Sequence, residues 1–459
     1  MKRVLSCLVL AACGSKPTPV TPPPAVAHPA DAAPVKPTGP AAATTAEARA
    51  KLVVDDLIVG KLSELRPMLS AEVAAALPEP DMAKMWGEVE AQLGKIDRCD
   101  TPAKLESKPG QPTVYAVPCH FAKAGVMDWL VALDDKQQVV GLHLGTPHST
   151  EPWQAPAYAA KDATSRDLAV GDLPGTLTVP AGKGPVPCVV LVHGSGPHDR
   201  DETVGPNKPF ADLALGLAAH GIATLRYEKR TKAKPGSLPK DLTVNEETVN
   251  DAVIAADLCA AQPEIDHKRV FVLGHSLGAW VAPRIAKHAK DLAGLIILAG
   301  PTRDLADIIV DQITYIANAD GTVSPDEQKA IDDAKADAKR IHELEAGAAP
   351  KPDEMHVFAP ASYWKDLAGY DAPKLAATLK LRIFVGQGGR DYQVSATKDF
   401  PAWQKALAGK KGDKLVVWPK LTHLLTPGEG PSTPAEYEKP GQHVDEQVIT
   451  DLADWITAK

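Results

Sequence analysis

Apolar and polar positions alternate differently in different parts of the chain. Leu52, Val53, Leu57, Leu62, Leu65 and Leu69 recur at helical spacing, after which residues 113–121, 127–134 and 138–144 alternate apolar and polar side chains with a period of two. The first pattern buries one stripe of a helix and the second one face of a sheet. Residues 46–145 are therefore expected to form helices followed by a small antiparallel sheet, an α+β domain. Beyond residue 164 the apolar runs become continuous, at 188–192, 222–226, 270–273, 295–298, 381–385 and 415–418. Helical stretches at 210–219, 247–261, 279–287 and 395–407 lie between them. Strands apolar on both faces belong to a parallel sheet covered by helices on both sides, so an α/β domain is expected over 165–459, with a connector at 146–164. Chemistry then belongs at the carboxyl ends of the strands.

Length agrees with more than one folded unit, since 459 residues exceed one ordinary core. A hydrophobic fraction of 44% and a charged fraction of 24% exclude a wholly disordered or polytopic membrane chain. The net charge of -8 comes without a segregated basic patch, so no nucleic-acid partner is expected.

The amino terminus has a different character. Lys2 and Arg3, the apolar run 4–10 and the small residues before Cys13 read as a signal peptide over 1–12. The run Leu10-Ala11-Ala12-Cys13-Gly14 resembles the lipobox of bacterial lipoproteins. That resemblance implies cleavage before Cys13, lipidation of its thiol and, with glycine rather than aspartate following, an outer-membrane destination. An ordinary cleaved signal with an unrelated cysteine is the alternative. Residues 13–45, rich in Pro, Ala and Thr, bury too little surface to fold and act as a tether. The expectation is an exported protein, lipid-anchored to the cell envelope.

Export changes how the cysteines are read. Cys99 and Cys119 flank the start of the first sheet in a chain sent to an oxidising compartment, and either pair as a disulfide or remain two free thiols. Cys188, inside an apolar run, and Cys259, on the apolar face of a helix, read as small buried hydrophobes.

Candidate chemistry gathers in three loops of the second region. The run Gly274-His275-Ser276-Leu277-Gly278 lies between a strand and a helix, the context in which Gly-Xaa-Ser-Xaa-Gly makes a sharp turn exposing a nucleophilic serine. His275 would face the core. Upstream, His193-Gly194-Ser195-Gly196-Pro197 follows another strand; backbone N–H groups near Ser195 and at Leu277 are candidates to stabilise an oxyanion. Serine needs a base oriented by an acid. His423 follows the last apolar strand, and Asp391 follows the run Gly386-Gln387-Gly388-Gly389, whose glycines free the backbone to curl the carboxylate toward His423. Asp304, one strand earlier, is the competing acid, although its neighbours give it the look of a helix-start carboxylate. Helical residues at 301–371 exceed what one crossover needs and are expected to form a cap, with Tyr315, Tyr363, Trp364 and Tyr370 either lining a pocket or joining the cap to the core.

On these motifs, residues 165–458 resemble an α/β-hydrolase. The runs His193–Glu202, Asn207-Lys208-Pro209-Phe210 and 225–230 resemble secreted bacterial hydrolases of the prolyl-oligopeptidase and dienelactone-hydrolase types. The resemblance implies a carboxylesterase acting on small ester or acyl substrates through Ser276, His423 and Asp391. A serine peptidase of the same fold is the alternative, although the sequence carries no amino-terminal propeller repeats. A non-catalytic surface binding protein is a third reading. Residues 46–145 resemble small nuclear-transport-factor-like domains and carry no Asp, His or Cys cluster at catalytic spacing, so they are expected to be a spacer or to dock protein or cell wall. No metal cluster, dinucleotide fingerprint or phosphate loop is present in the sequence, and no cofactor is implied.

Overall fold

The computed structural model describes residues 45–76, 83–84, 86–87, 89–90, 93–105, 112–122, 125–148, 152–182 and 184–458. The signal segment, Cys13 and the tether up to residue 44 lie outside the described residues. The chain divides between residues 150 and 151 into two compact units.

In the first unit, Thr45 accepts the Ala48 N–H and starts the helix Ala46–Ile58, which buries Ala50, Val53, Val54 and Leu57. Short helices at Leu62–Leu65 and Ala71–Ala76 follow. An antiparallel sheet is built from β1 (Ile96–Cys99), β2 (Ala103–Lys104), β3 (Thr113–Phe121), β4 (Gly125–Leu133) and β5 (Val139–His148). Inward positions alternate as expected, with Val117, Trp129, Val131 and Leu133 all buried. Cys99 and Cys119 face each other across β1 and β3 and are joined in a disulfide.

The second unit is an eight-stranded sheet. Its strands are β6 (Thr164–Val170), β7 (Leu173–Val179), β8 (Val186–Val192), β9 (Ala223–Tyr227), β10 (Ile265–His275), β11 (Gly294–Leu298), β14 (Arg382–Gly388) and β15 (Lys414–Trp418), in the order β15-β14-β11-β10-β8-β9-β7-β6. All pairings from β9 to β15 are parallel, whereas β6 and β7 are antiparallel to their neighbours. The sheet is thus mixed, where continuous apolar runs pointed to parallel strands throughout. Four of the first five residues of β6 are exposed, so it carries no apolar run to announce it. Strand order reverses around β8, between β9 and β10, the kind of point where such sheets open a crevice.

Helices cover both faces. Pro209–Ala219 and the carboxyl-terminal helix Glu446–Thr457 pack on one face, close enough that a Cβ on Gly216 would press on Ile449. Asn250–Ala260 and Leu277–His288 pack on the other. Three expectations are corrected here. Cys188 on β8 and Cys259 on Asn250–Ala260 are joined in a second disulfide rather than standing as separate apolar side chains. Part of the expected connector belongs to the second unit, because Trp153 donates to Asp212 and Tyr158 to the Val444 carbonyl. The expected 395–407 helix is shorter, forming only Phe400–Ala406.

Between β11 and β14 the chain builds the helices Leu305–Ala317, Pro325–Glu345 and Ala361–Leu367 and a hairpin of β12 (Met355–His356) and β13 (Ala359–Pro360). Asp304 caps the first helix by accepting the Ala306 N–H, and Ser324 with Glu327 forms a reciprocal cap on the second. Buried Asp399 fixes the start of the insertion, taking the Thr302 N–H at 3.0 Å and the Arg303 guanidinium at 3.0 Å.

Candidate active site

Three loops at the carboxyl ends of β8, β10 and β15 meet at one cavity. Ser276 joins β10 to the helix Leu277–His288 with φ 53° and ψ -117°, a left-handed conformation that non-glycine residues rarely adopt. The flanking glycines make this turn sterically feasible. A Cβ on Gly274 would overlap the Gly278 carbonyl, and one on Gly278 would overlap the carbonyl of Val192 at the end of β8. The His193–Pro197 loop lies against the turn, since a Cβ on Gly194 would stand 3.1 Å from that of Ser276.

His423 is carried by a tight loop after β15, closed by the Thr422 N–H donating to the Thr426 carbonyl and by the left-handed Leu425. Its Nδ1 lies 2.8 Å from Asp391 Oδ2. Both residues are buried. Asp391 is itself held: Gln387 Nε2 donates to Oδ2 at 2.9 Å, and the N–H groups of Gln393 and Val394 donate to Oδ1 at 2.8 and 2.9 Å. Three donors plus the imidazole fix the orientation of this carboxylate. The glycines before Asp391 serve close approach rather than conformational freedom. None has positive φ, but a Cβ on Gly388 would strike the Thr422 carbonyl and one on Gly389 would stand 2.7 Å from Pro419. They let the two loops touch.

The cavity has a volume of about 360 Å³. Ser195, Ser276, Leu277 and His423 line it, and the cap adds Leu305, Ile308, Ile309 and Gln312, spaced i, i+3, i+4 and i+7 along one helix face. Val357 and Phe358, at the tip of the β12–β13 hairpin, complete that side, together with Val394, Leu424, Tyr392 and Tyr437. The aromatic residues singled out in the cap sequence lie elsewhere. Tyr363 and Trp364 are fully buried, Tyr363 donating to Glu247, and Tyr370 donates to the Trp280 carbonyl. Tyr315 backs the wall by stacking on Tyr392 at 5.1 Å. These four join cap to core.

His193, although adjacent to the glycines, has a packing role. Its ring sits between Phe210 and Tyr227, and burial pushes its pKa down to about 3, so it is neutral. His275 is buried, as expected of a core-facing side chain, and also borders the cavity. Its Nε2 donates to the His423 carbonyl at 2.9 Å, and its Nδ1 meets Glu202 Oε2 at 2.9 Å. Glu202 and Lys229 are buried charges that the sequence did not single out, because each sits in a polar run that reads as solvated surface. Glu202 accepts the Gly194 N–H at 2.6 Å; Lys229 donates to the Gly194 carbonyl at 2.7 Å and pairs with Glu247 at 2.7 Å.

Residues 189–438 match the alpha/beta hydrolase family, more than half of the chain. The chain belongs to the α/β-hydrolase family. Residues 50–142 of this hydrolase match a family of unknown function, DUF3887. It is 37% identical over 390 residues to Esterase EstD of Thermotoga maritima, an alignment covering 85% of this chain and 90% of that protein. Among solved structures, Est1E from Butyrivibrio proteoclasticus is 16% identical, with a TM-score of 0.39 over 64% of this chain and 99% of its own. The esterase domain of a Rhodothermus marinus protein is 14% identical, with a TM-score of 0.38 over 64% and 97%.

Proposed function

We propose that this α/β-hydrolase cleaves carboxylic esters through an acyl-enzyme formed on Ser276. The observation that carries the reading is one apolar-walled cavity shared by Ser276 on a strained turn and a buried His423 whose Nδ1 is held by Asp391. The kinship with an esterase over most of the chain supports it.

With Nδ1–H donated to Asp391, His423 presents a basic Nε2. Ser276 Oγ attacks the ester carbonyl carbon and its proton passes to Nε2. The carbonyl oxygen becomes an oxyanion. The Gly194 N–H is committed to Glu202 and the Ser276 N–H to the Leu298 carbonyl, so the amides of Ser195 and Leu277 are assigned as donors to that oxygen. Collapse breaks the ester C–O bond, and the imidazolium returns its proton to the departing alkoxide. Water, deprotonated in turn by His423, attacks the acyl carbon and releases the carboxylic acid and free Ser276.

The cap face supplies aliphatic surface without a charged side chain among Leu305, Ile308 and Ile309, which suits an uncharged acyl chain of small to medium length in a cavity of about 360 Å³. No feature of this wall favours a peptide over an ester. The amino-terminal signal belongs to the same proposal: the hydrolase is exported and held at the envelope through Cys13, reaching an extracytoplasmic ester. Among the described residues no helix is long and apolar enough to cross a membrane.

The test is a fluorophosphonate probe followed by mass mapping, alongside hydrolysis of a chromogenic ester. The expected outcome is one phosphonyl adduct on Ser276, with Ser276→Ala folded, unlabelled and slower by several orders of magnitude. Hydrolysis retained in that variant defeats the mechanism.

A further inference from the structure

We propose that Glu202 and His275 form a positioning unit that locks the loop carrying an oxyanion donor to the loop carrying the general base. The inference rests on the ester-hydrolysis reading above. Its geometry runs through three loops. One Glu202 oxygen takes the Gly194 N–H at 2.6 Å, next to the Ser195 amide; the other faces His275 Nδ1 at 2.9 Å, a contact of charges rather than an in-line hydrogen bond. His275 precedes the nucleophile in the chain, and its Nε2 donates at 2.9 Å to the carbonyl of His423, with the two rings 4.7 Å apart. Two side chains therefore tie together the backbone positions that must hold Ser276, the oxyanion and the base in register.

Stability alone does not account for this pair. Glu202 is 1% exposed and His275 6%, and burying two charges removes them from water at a cost that their attraction need not exceed. Glu202 also sits in the left-handed region at φ 50°, disfavoured for a residue with a Cβ, and its carboxylate is buried. Gly194 is gripped on both sides, since its carbonyl takes the Lys229 ammonium. With Gly194 already against Ser276, a shift of the loop displaces the Ser195 amide from the reacting carbonyl. Misplacement by about 1 Å is enough to cost about 10²-fold in rate.

Charge is part of the unit. Burial opposes ionisation of Glu202, but the facing His275, with His198 and His193 beyond it, holds the carboxyl at about 2. Burial also opposes charge on His275, yet Glu202, the His423 carbonyl and Asp391 raise it above its ordinary value. The other titratable groups around the pair are His193 and His198 beside the Ser195 loop, Lys229 on the Gly194 carbonyl, and Asp391 and His423 from the facing loops. A raised histidine pKa means that the tie is present below about 6.5 and is released as pH rises through the folded-state value.

The experiment compares wild type, Glu202→Ala and His275→Gln in kcat and KM on a chromogenic ester, per serine titrated by fluorophosphonate, across pH. Glu202→Ala is expected to lose about 10²-fold in kcat with KM within about threefold. In His275→Gln, neutral at every pH, the alkaline fall of wild-type kcat is expected to disappear. A merely structural role lowers the titrated fraction and leaves both quantities unchanged, and that result overturns the proposal. Where Glu202→Ala yields no folded protein, the alkaline limb of His275→Gln decides: its persistence overturns the proposal and its loss upholds it. Wild type that neither labels nor turns over defeats the esterase reading instead, so the two failures are distinguishable.

Discussion

Asp391 Oδ2 stands 2.8 Å from His423 Nδ1, whereas Asp304, the other acid near a strand end, accepts the Ala306 N–H at 2.8 Å as a helix cap. The two carboxylates that competed in sequence thus have different partners. Replacing Asp391 by Asn removes the charge that fixes the imidazole tautomer, and a fall of about 10⁴ in kcat at neutral pH is expected. Asp304→Asn keeps a cap of similar strength and is expected to change kcat within a few-fold. Both are measured on a chromogenic ester with folding checked by circular dichroism; the reverse ranking transfers the acid's role to Asp304.

Legibility followed burial symmetry. β8, β10, β11 and β14, apolar on both faces, were readable as uninterrupted runs, and Ser276 was readable because a strained turn demands glycines at fixed positions. β6 carries too little apolar surface to show. The helix Glu446–Thr457 carries a periodic signal of its own: Val448, Ile449, Leu452, Trp455 and Ile456 follow the helical period and all are buried. Glu202, Lys229 and Glu247 were hidden for a deeper reason. A charged residue in a polar run is ordinarily solvated, and only tertiary packing brings Glu202 and Lys229 against Gly194 and Glu247 against Lys229. The Cys188–Cys259 bridge is similar, because 71 residues separate two cysteines whose local contexts are simply apolar.

Both bridges are expected in the protein isolated without reductant. Alkylation before reduction should leave Cys99, Cys119, Cys188 and Cys259 unmodified, and after reduction should label all four, read by peptide mass mapping. Closing 71 residues removes more unfolded-state freedom than closing 20. The double variant Cys188→Ala/Cys259→Ala should therefore lose about 4 kcal/mol in urea unfolding, and Cys99→Ala/Cys119→Ala about 3 kcal/mol from its own unit. Equal alkylation with and without reductant contradicts both bridges.

The proposed lipid anchor rests on one thiol, that of Cys13. With a diacylglycerol on Cys13 the protein should sediment with membranes and enter detergent, each buried methylene adding about 0.8 kcal/mol. Cys13→Ser should remove it from that fraction, as read by immunoblot after fractionation. A variant that still sediments with membranes excludes the lipobox reading and leaves the esterase mechanism untouched.

Acyl-chain length is where the cap should matter. Ile309 lines the cavity from the helix Leu305–Ala317 yet is only half-buried, so a larger side chain there extends into open space before it strains the core. Phe358 lines the same cavity and packs edge-on against Tyr363 at 5.7 Å, so its removal widens the site from the hairpin side. Each methylene accommodated in an apolar pocket changes transition-state binding by about 1–3 kcal/mol. Ile309→Trp should therefore lower kcat/KM for an octanoyl ester at least about 10-fold relative to an acetyl ester, since the longer chain fills more of the cavity. Phe358→Ala should shift the ratio the other way. The measurement is kcat/KM on a series of p-nitrophenyl esters from acetyl to decanoyl. If both substitutions change all chain lengths by one common factor, the acyl group does not lie against the cap, and it is the alcohol that occupies the space between Ile309 and Phe358.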